Sequence, residues 1–214
     1  MKSSLGLGGS TTSSDPELRR LTEEVARLRA EVEALTERLV EAEQLADRDV
    51  LTPLLNRRAF LREVQRAIAV SRRHDIPASI IYFDLDGFKL VNDRHGHAAG
   101  DAALVAVAKR LCADVRESDV VGRLGGDEFA VLLLHADAHM ATIKARALQA
   151  MIASEPILSE DLSFHLGATF GVRQIGGSDT AEQAIAEADA VMYLRKPSCA
   201  RAQPIDPDGA PSTD

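Results

Sequence analysis

Two short stretches hold residues whose types and spacing could do chemistry. In FDLDGFKLVND, Phe83 to Asp93, an apolar run ends in Asp84 and Asp86. Carboxylates at the carboxyl end of a strand are placed to hold a cation just outside a sheet. Gly87 permits a tight turn that exposes backbone amides to phosphate oxygens, and Lys89 adds a point charge. In RLGGDEFAVLL, Arg123 to Leu133, Gly125 and Gly126 are followed at once by Asp127 and Glu128. Each stretch has a plainer explanation. The first reads as an acid-rich strand-to-helix turn in which Asp86 caps the next segment, the second as a solvated hairpin turn. If the hairpin strands pair beside the strand ending at Asp84, the two acidic clusters meet. A site of that kind suits oxygen-ligated magnesium, which works together with substrate phosphates.

The elements that must position these residues follow from periodicity. Ser79 to Leu85 reads as a buried strand, and Asp119 to Leu124 with Glu128 to Leu134 as a hairpin closed by the glycines. Phe164 to Val172 is a further strand. Amphipathic or apolar helices are expected over Asn56 to His74, Ala98 to Val115, Asp137 to Ser154 and Thr180 to Arg195. Strands interleaved with helices, including one tight hairpin, predict an α/β (α+β) domain with helices packed over a sheet. Cys112 is expected buried and inert, and Met192 and Tyr193 are expected in the core.

Upstream, Asp15-Pro16-Glu17 reads as a helix start. A heptad follows, with Leu18, Val25, Val32, Leu39 and Ala46 at a and Leu21, Leu28, Leu35 and Ala42 at d. Glu24 at g faces Arg29 at the next e, and Arg38 faces Glu43. Valine at a with leucine at d predicts a parallel two-stranded coiled coil, since a helix packed on its own domain would carry a wider apolar stripe. The chain thus divides into a flexible tail (1–14), a coiled-coil dimerisation helix (15–48), a globular domain (49–196) and a loose carboxyl tail (197–214) with four prolines.

Composition excludes some classes. Of 214 residues, 45% are hydrophobic and 27% charged, an ordinary globular balance. The net charge of -8 argues against a general nucleic-acid binder, which would need a basic face. The two cysteines, Cys112 and Cys199, lack CxxC spacing, so no zinc framework is expected and the compartment reads as reducing. No stretch is apolar enough to insert in a bilayer, and no signal-peptide pattern is present, so the expected location is the cytoplasm.

Several stretches together resemble one family. RLGGDEF (Arg123 to Phe129) reproduces the signature of the GGDEF family, the bacterial diguanylate cyclases. DVLTPLLNRRAF (Asp49 to Phe60) resembles the family's opening DxLTGLxNRR, with Pro53 at the usual glycine. FDLDGFKLVNDRHGHAAGDAAL (Phe83 to Leu104) is similar to its FDxDxFKxxNDxxGHxxGDxxL segment. ATFGV (Ala168 to Val172) and EADAVMYLRK (Glu187 to Lys196) resemble its later strand and helix. The motifs occur in the family's order from Asp49 to Lys196.

The resemblance implies a nucleotidyl-cyclase or palm-like fold: a central, mostly antiparallel sheet flanked by helices. It implies condensation of two GTP into cyclic di-GMP and two pyrophosphates by two domains meeting face to face. Asp84, Asp127 and the Leu85 carbonyl would then ligate magnesium (or manganese), and Asp127 or Glu128 would assist as base. Asn92 and Asp101 would read guanine. Gly87, Phe88, Lys89 and Lys196 would hold phosphates, while Gly125 and Gly126 let the hairpin lie close to the nucleotide. RESD, Arg116 to Asp119, matches the family's RxxD product-inhibition site, with Arg123 in support.

The chain departs from the family after Lys196, where Gly-Arg is replaced by Pro-Ser-Cys-Ala with Arg201 one position late. This motivates a second reading, a cyclic di-GMP receptor or scaffold with weak or no turnover. A homodimer through the coil would bring two domains together, and regulation would act through the coil, a protein partner or product feedback.

Overall fold

Helix α1 (Pro16–Ala46) presents the heptad positions Leu18, Leu21, Val25, Leu28, Val32 and Leu35 to solvent. Within the helix, Glu24 pairs with Arg27 at 2.7 Å. The computed structural model describes residues 16–159 and 162–196. The expected tails, the Asp15 cap, Cys199, Arg201 and the side chains of Leu39, Ala42 and Glu43 lie outside the described residues. The chain divides into two units between Ala46 and Asp47.

The second unit runs β1 (Leu55–Asn56), α2 (Arg57–His74), β2 (Ala78–Asp86), α3 (Phe88–His95), α4 (His97–Ala113), β3 (Val120–Arg123) and β4 (Glu128–Leu134). It continues with α5 (Ala138–Ser154), β5 (Ile157–Ser159), β6 (Leu162–Phe164), β7 (Gly167–Gln174) and α6 (Ala181–Arg195). Helix starts sit where local chemistry supplies a cap. The Asn56 side chain accepts from the Ala59 amide and Asp137 from that of Met140, while Thr180 and Gln183 form a reciprocal capping box.

Five strands form one sheet in the order β1-β3-β4-β2-β7, antiparallel except for the β1–β3 pair. This is the α/β domain that the alternation of elements predicts, with the mostly antiparallel sheet flanked by helices that the family resemblance implies. Strand β2 is interior, between β4 and β7, and buried on both faces up to Asp86, which explains its unbroken apolar run. Leu54, Phe83, Phe129, Leu104, Leu111, Leu148 and Ile152 build one core layer under α4 and α5. Phe60, Val64, Ile80, Tyr82, Ile185 and Met192 build the other under α2 and α6.

Three local expectations are corrected. The segment between β2 and α4, read as a turn, contains α3, which ends at Gly96 where φ is 81°. The strand expected over Phe164 to Val172 is split: Phe164 belongs to the separate β5–β6 hairpin, and β7 runs on to Gln174. Cys112 and Tyr193 are exposed rather than buried, because each lies on the outer face of a helix whose inner face is filled by Leu111 and Met192. No helix among the described residues is long and apolar enough to cross a membrane.

Candidate active site

The two acidic stretches meet because β2 and β4 are neighbours. Antiparallel register sets Asp84 opposite Glu128, and the Leu85 amide donates to the Asp127 carbonyl at 3.2 Å. The hairpin turn is thereby tied to the carboxyl end of β2, and the plainer reading of a solvated turn does not describe it.

Asp84 is buried, and the Lys196 ammonium at the end of α6 stands 2.7 Å from its Oδ1. Apart from this lysine, no donor reaches that buried oxygen among the described residues. The Asp84 carboxylate raises the Lys196 ammonium above its ordinary pKa, against the smaller effect of burial. Asp127 responds in the complementary way: burial, and then the negative charge of Asp84, push its carboxyl above the usual range. Asp86 does not cap α3. Its Oδ1 accepts from the Thr169 hydroxyl at 2.8 Å.

This donor set fits a hard divalent cation. A buried carboxylate keeps an acceptor position open beside a second carboxylate that resists ionisation, and bound positive charge would relieve both conditions. No cluster of three or more acidic, histidine or cysteine side chains with metal-holding geometry occurs among the described residues.

Gly125 earns its place by proximity. A Cβ there would overlap Glu128 Oε2, so the glycine leaves the space into which the Glu128 carboxylate folds. Gly126 has open space around it. On the same sheet face, two residues before Asp84, the buried Tyr82 hydroxyl is raised by burial and by the Glu128 carboxylate near it. Tyr82 and Thr169 were hidden inside strands that read only as core. The period of two from Asp84 back to Tyr82 is the signal that could have found the first.

Helix α3 starts directly after Gly87, whose φ is 76° and which has no side chain to cap it. The first amides, at Phe88 and Lys89, therefore lack intrahelical acceptors and stand beside the acidic site. Phe88 packs on the core, while Lys89 is exposed. Further along, the Asn92 side chain occupies the position that a Cβ on Gly100 would take, and Asp101 follows Gly100 in α4. The α3–α4 corner thus brings Asn92 and Asp101 together, and Gly100 is the residue that permits it.

Arg116 and Asp119 line one cavity of about 300 Å³ with Met140, Ile143 and Lys144. Asp119 accepts from the Arg116 backbone amide at 3.0 Å. Its carboxylate braces the turn, and no hydrogen bond or ion pair engages the Arg116 guanidinium among the described residues. Arg123 is not part of this group. Its guanidinium lies 3.1 Å from Asp49 Oδ1 and donates to the Gly126 carbonyl at 2.8 Å.

Comparison with known proteins agrees with this geometry. The family model described as "Diguanylate cyclase, GGDEF domain" matches residues 46–201. The diguanylate cyclase TpbB of Pseudomonas aeruginosa is 38% identical over 84% of this chain, which spans only 43% of that protein. A crystal structure of the coiled coil and GGDEF domain of DgcB from Caulobacter crescentus, in complex with c-di-GMP, superposes with a TM-score of 0.71. It is 26% identical and covers 81% of this chain and 93% of that one. The diguanylate cyclase SiaD of P. aeruginosa, solved with its activator SiaC, gives a TM-score of 0.68 at 32% identity, covering 83% of this chain and 68% of that one. Sheet, hairpin signature and family match converge on one assignment: this chain belongs to the GGDEF domain family of the diguanylate cyclases.

Proposed function

We propose that this chain condenses two GTP into cyclic di-GMP and two pyrophosphates. The observation that carries the reading is the meeting of buried Asp84 with Asp127 at the end of β2, with Lys196 beside them. Each of two domains would present one GTP. The 3'-hydroxyl of each nucleotide attacks the α-phosphorus of the other and forms the new phosphodiester, while the bond from that phosphorus to the α,β-bridging oxygen breaks and pyrophosphate leaves with that oxygen and the electron pair.

The chain's own residues divide the work. Asn92 and Asp101 bind the guanine edge, the amide and the carboxylate matching its acceptors and donors. The first amides of α3 at Phe88, opened by Gly87, hold phosphate oxygens together with Lys89 and Lys196. Asp84 and Asp127, with the Leu85 carbonyl, would hold magnesium or manganese. When bound, the ion neutralises triphosphate charge and favours ionisation of the attacking hydroxyl. Glu128, the acid not committed to the Asp84–Asp127 pair, accepts the hydroxyl proton in this reading.

Pairing of two domains is assigned to α1. Its solvent-facing stripe from Leu18 to Leu35 suits a parallel coiled coil, and a coiled coil is named in the DgcB structure. Product inhibition is assigned to Arg116 and Asp119, where the arginine fork faces a cavity. A protein activator is a further possibility of the same architecture, as for SiaD. The test is purified protein with GTP and magnesium, followed for pyrophosphate and cyclic di-GMP. Synthesis that disappears in Asp127→Ala supports the reading. Tight cyclic di-GMP binding without synthesis would replace it with a receptor.

A further inference from the structure

A second charged cavity, of about 500 Å³, lies along β7, an edge strand of the sheet. Its lining is Asp86, Arg146, Gln149, Thr169, Phe170 and Arg195, supplied by the ends of β2 and β7 and by α5 and α6. The Arg195 guanidinium sits 5.2 Å from the Phe170 ring centroid and donates to the Phe170 carbonyl at 3.4 Å. Gln149 donates to the Ala168 carbonyl at 2.6 Å. These contacts occupy carbonyls of β7, so an added strand would have to displace them; the cavity is better suited to a small ligand.

Its charge points to an anion. Neither Arg146 nor Arg195 meets a carboxylate among the described residues, in a chain of net charge -8. The one acid in the lining, Asp86, is bonded to Thr169. Two guanidiniums therefore stand against one carboxylate. Arg195 keeps most of its five donors free, in the planar fork that suits phosphate. The residue after it, Lys196, reaches Asp84, so the end of α6 serves the acidic site and this cavity with consecutive side chains.

We propose that this cavity is a diphosphate subsite in which Arg146 and Arg195 hold a phosphoanhydride group, either free pyrophosphate or the terminal phosphates of a bound nucleoside triphosphate. The link to the second source rests on the cyclase reading above; binding of the free anion does not.

Isothermal titration with inorganic pyrophosphate, without GTP, tests the site in the full chain. Arg146→Ala and Arg195→Ala should each weaken binding about tenfold, the loss of one charge-assisted contact. Arg195→Lys should recover part of it, separating charge from packing against Phe170. Thermal unfolding confirms that each variant is folded. The same series with 3'-deoxy-GTP, which cannot condense, separates the two sources. A parallel loss places nucleotide phosphates in the cavity, and no loss assigns it to free pyrophosphate. Absence of pyrophosphate binding by the wild type at millimolar concentration, or equal binding by folded alanine variants, overturns the proposal. Cyclic di-GMP synthesis is scored separately, so an active cyclase with unaltered pyrophosphate binding sinks this subsite alone.

Discussion

Arg123 and Asp49, 74 positions apart in sequence, form a largely buried ion pair, and the same guanidinium also grips the carbonyl of Gly126. Asp49 additionally accepts from the Thr52 amide and hydroxyl. One arginine thus ties the segment that opens the globular unit to the turn that carries Asp127. Its position beside the hairpin glycines, rather than in the cavity of Arg116, makes it a positioning residue for the signature turn.

Arg123→Ala should therefore lower turnover by about tenfold while leaving product inhibition intact, and cost about 2–3 kcal/mol by stranding a mostly buried carboxylate. Steady-state kinetics with added cyclic di-GMP and denaturant unfolding check both parts. Loss of inhibition with turnover unchanged would return Arg123 to the Arg116 site.

Acid should expose the same pair. Burial acts to raise the Asp49 carboxyl, but Thr52 and the Arg123 guanidinium outweigh it and hold the pKa below the usual value. A lowered folded pKa means the stabilisation is complete above the ordinary aspartate pKa of about 3.9 and is lost as pH falls through the lower folded value. Thermal unfolding from pH 6 downward should fall less steeply in Asp49→Asn than in the wild type, from a lower starting point.

Asp127 has the opposite sign. Its pKa is raised by burial and by Asp84, so the folded chain binds that proton more readily than the unfolded chain does. Keeping it ionised at neutral pH costs stability. In metal-free buffer Asp127→Asn should melt about 2–4 °C higher than the wild type while abolishing synthesis. A carboxyl-detected titration should show the Asp127 pKa falling in Asp84→Asn and rising in Lys196→Met, since these substitutions remove a repelling and an attracting charge respectively.

The two signature glycines should behave differently. A methyl group at Gly125 meets the Glu128 carboxylate and displaces it, whereas one at Gly126 meets open space. Gly125→Ala should lower kcat by about tenfold or more. Gly126→Ala should retain wild-type stability within about 0.5 kcal/mol. Equal stability and equal kcat in both variants would remove the proposed role of Gly125 in seating Glu128.

Leu21→Asp with Leu28→Asp should break the helix stripe without touching the globular unit. Light scattering should then report monomer, and synthesis should vary with the square of protein concentration as encounter replaces a held pair. A wild type that is monomeric at the same concentration would remove the coil from the reading.

Much of this molecule was legible in its residues because the signals were local. Apolar periodicity marked helices starting near Asn56, Asp137 and Thr180, where the structure has caps, and the apolar run before Asp84 marked a buried strand. Helix α3 was missed because it is only eight residues long and a single glycine separates it from α4, too short a run for a helical period to show. The exposed Cys112 and Tyr193 were misjudged because both neighbour apolar residues that do face the core. Helix α6 in particular is apolar on much of its surface, which blurs its inner face.

By itself the sequence determined the family, the element types and the identity of the acids, since motif order and periodicity are properties of neighbouring residues. Only the tertiary structure decided which of those residues meet. The β2–β4 register put Asp84 against the signature turn and the end of α6 brought Lys196 to it. The fold also paired Arg123 with Asp49 and gathered Arg146 and Arg195 around one cavity. Such pairings are set by sheet order and helix packing, which join positions tens of residues apart and leave no local trace in the chain.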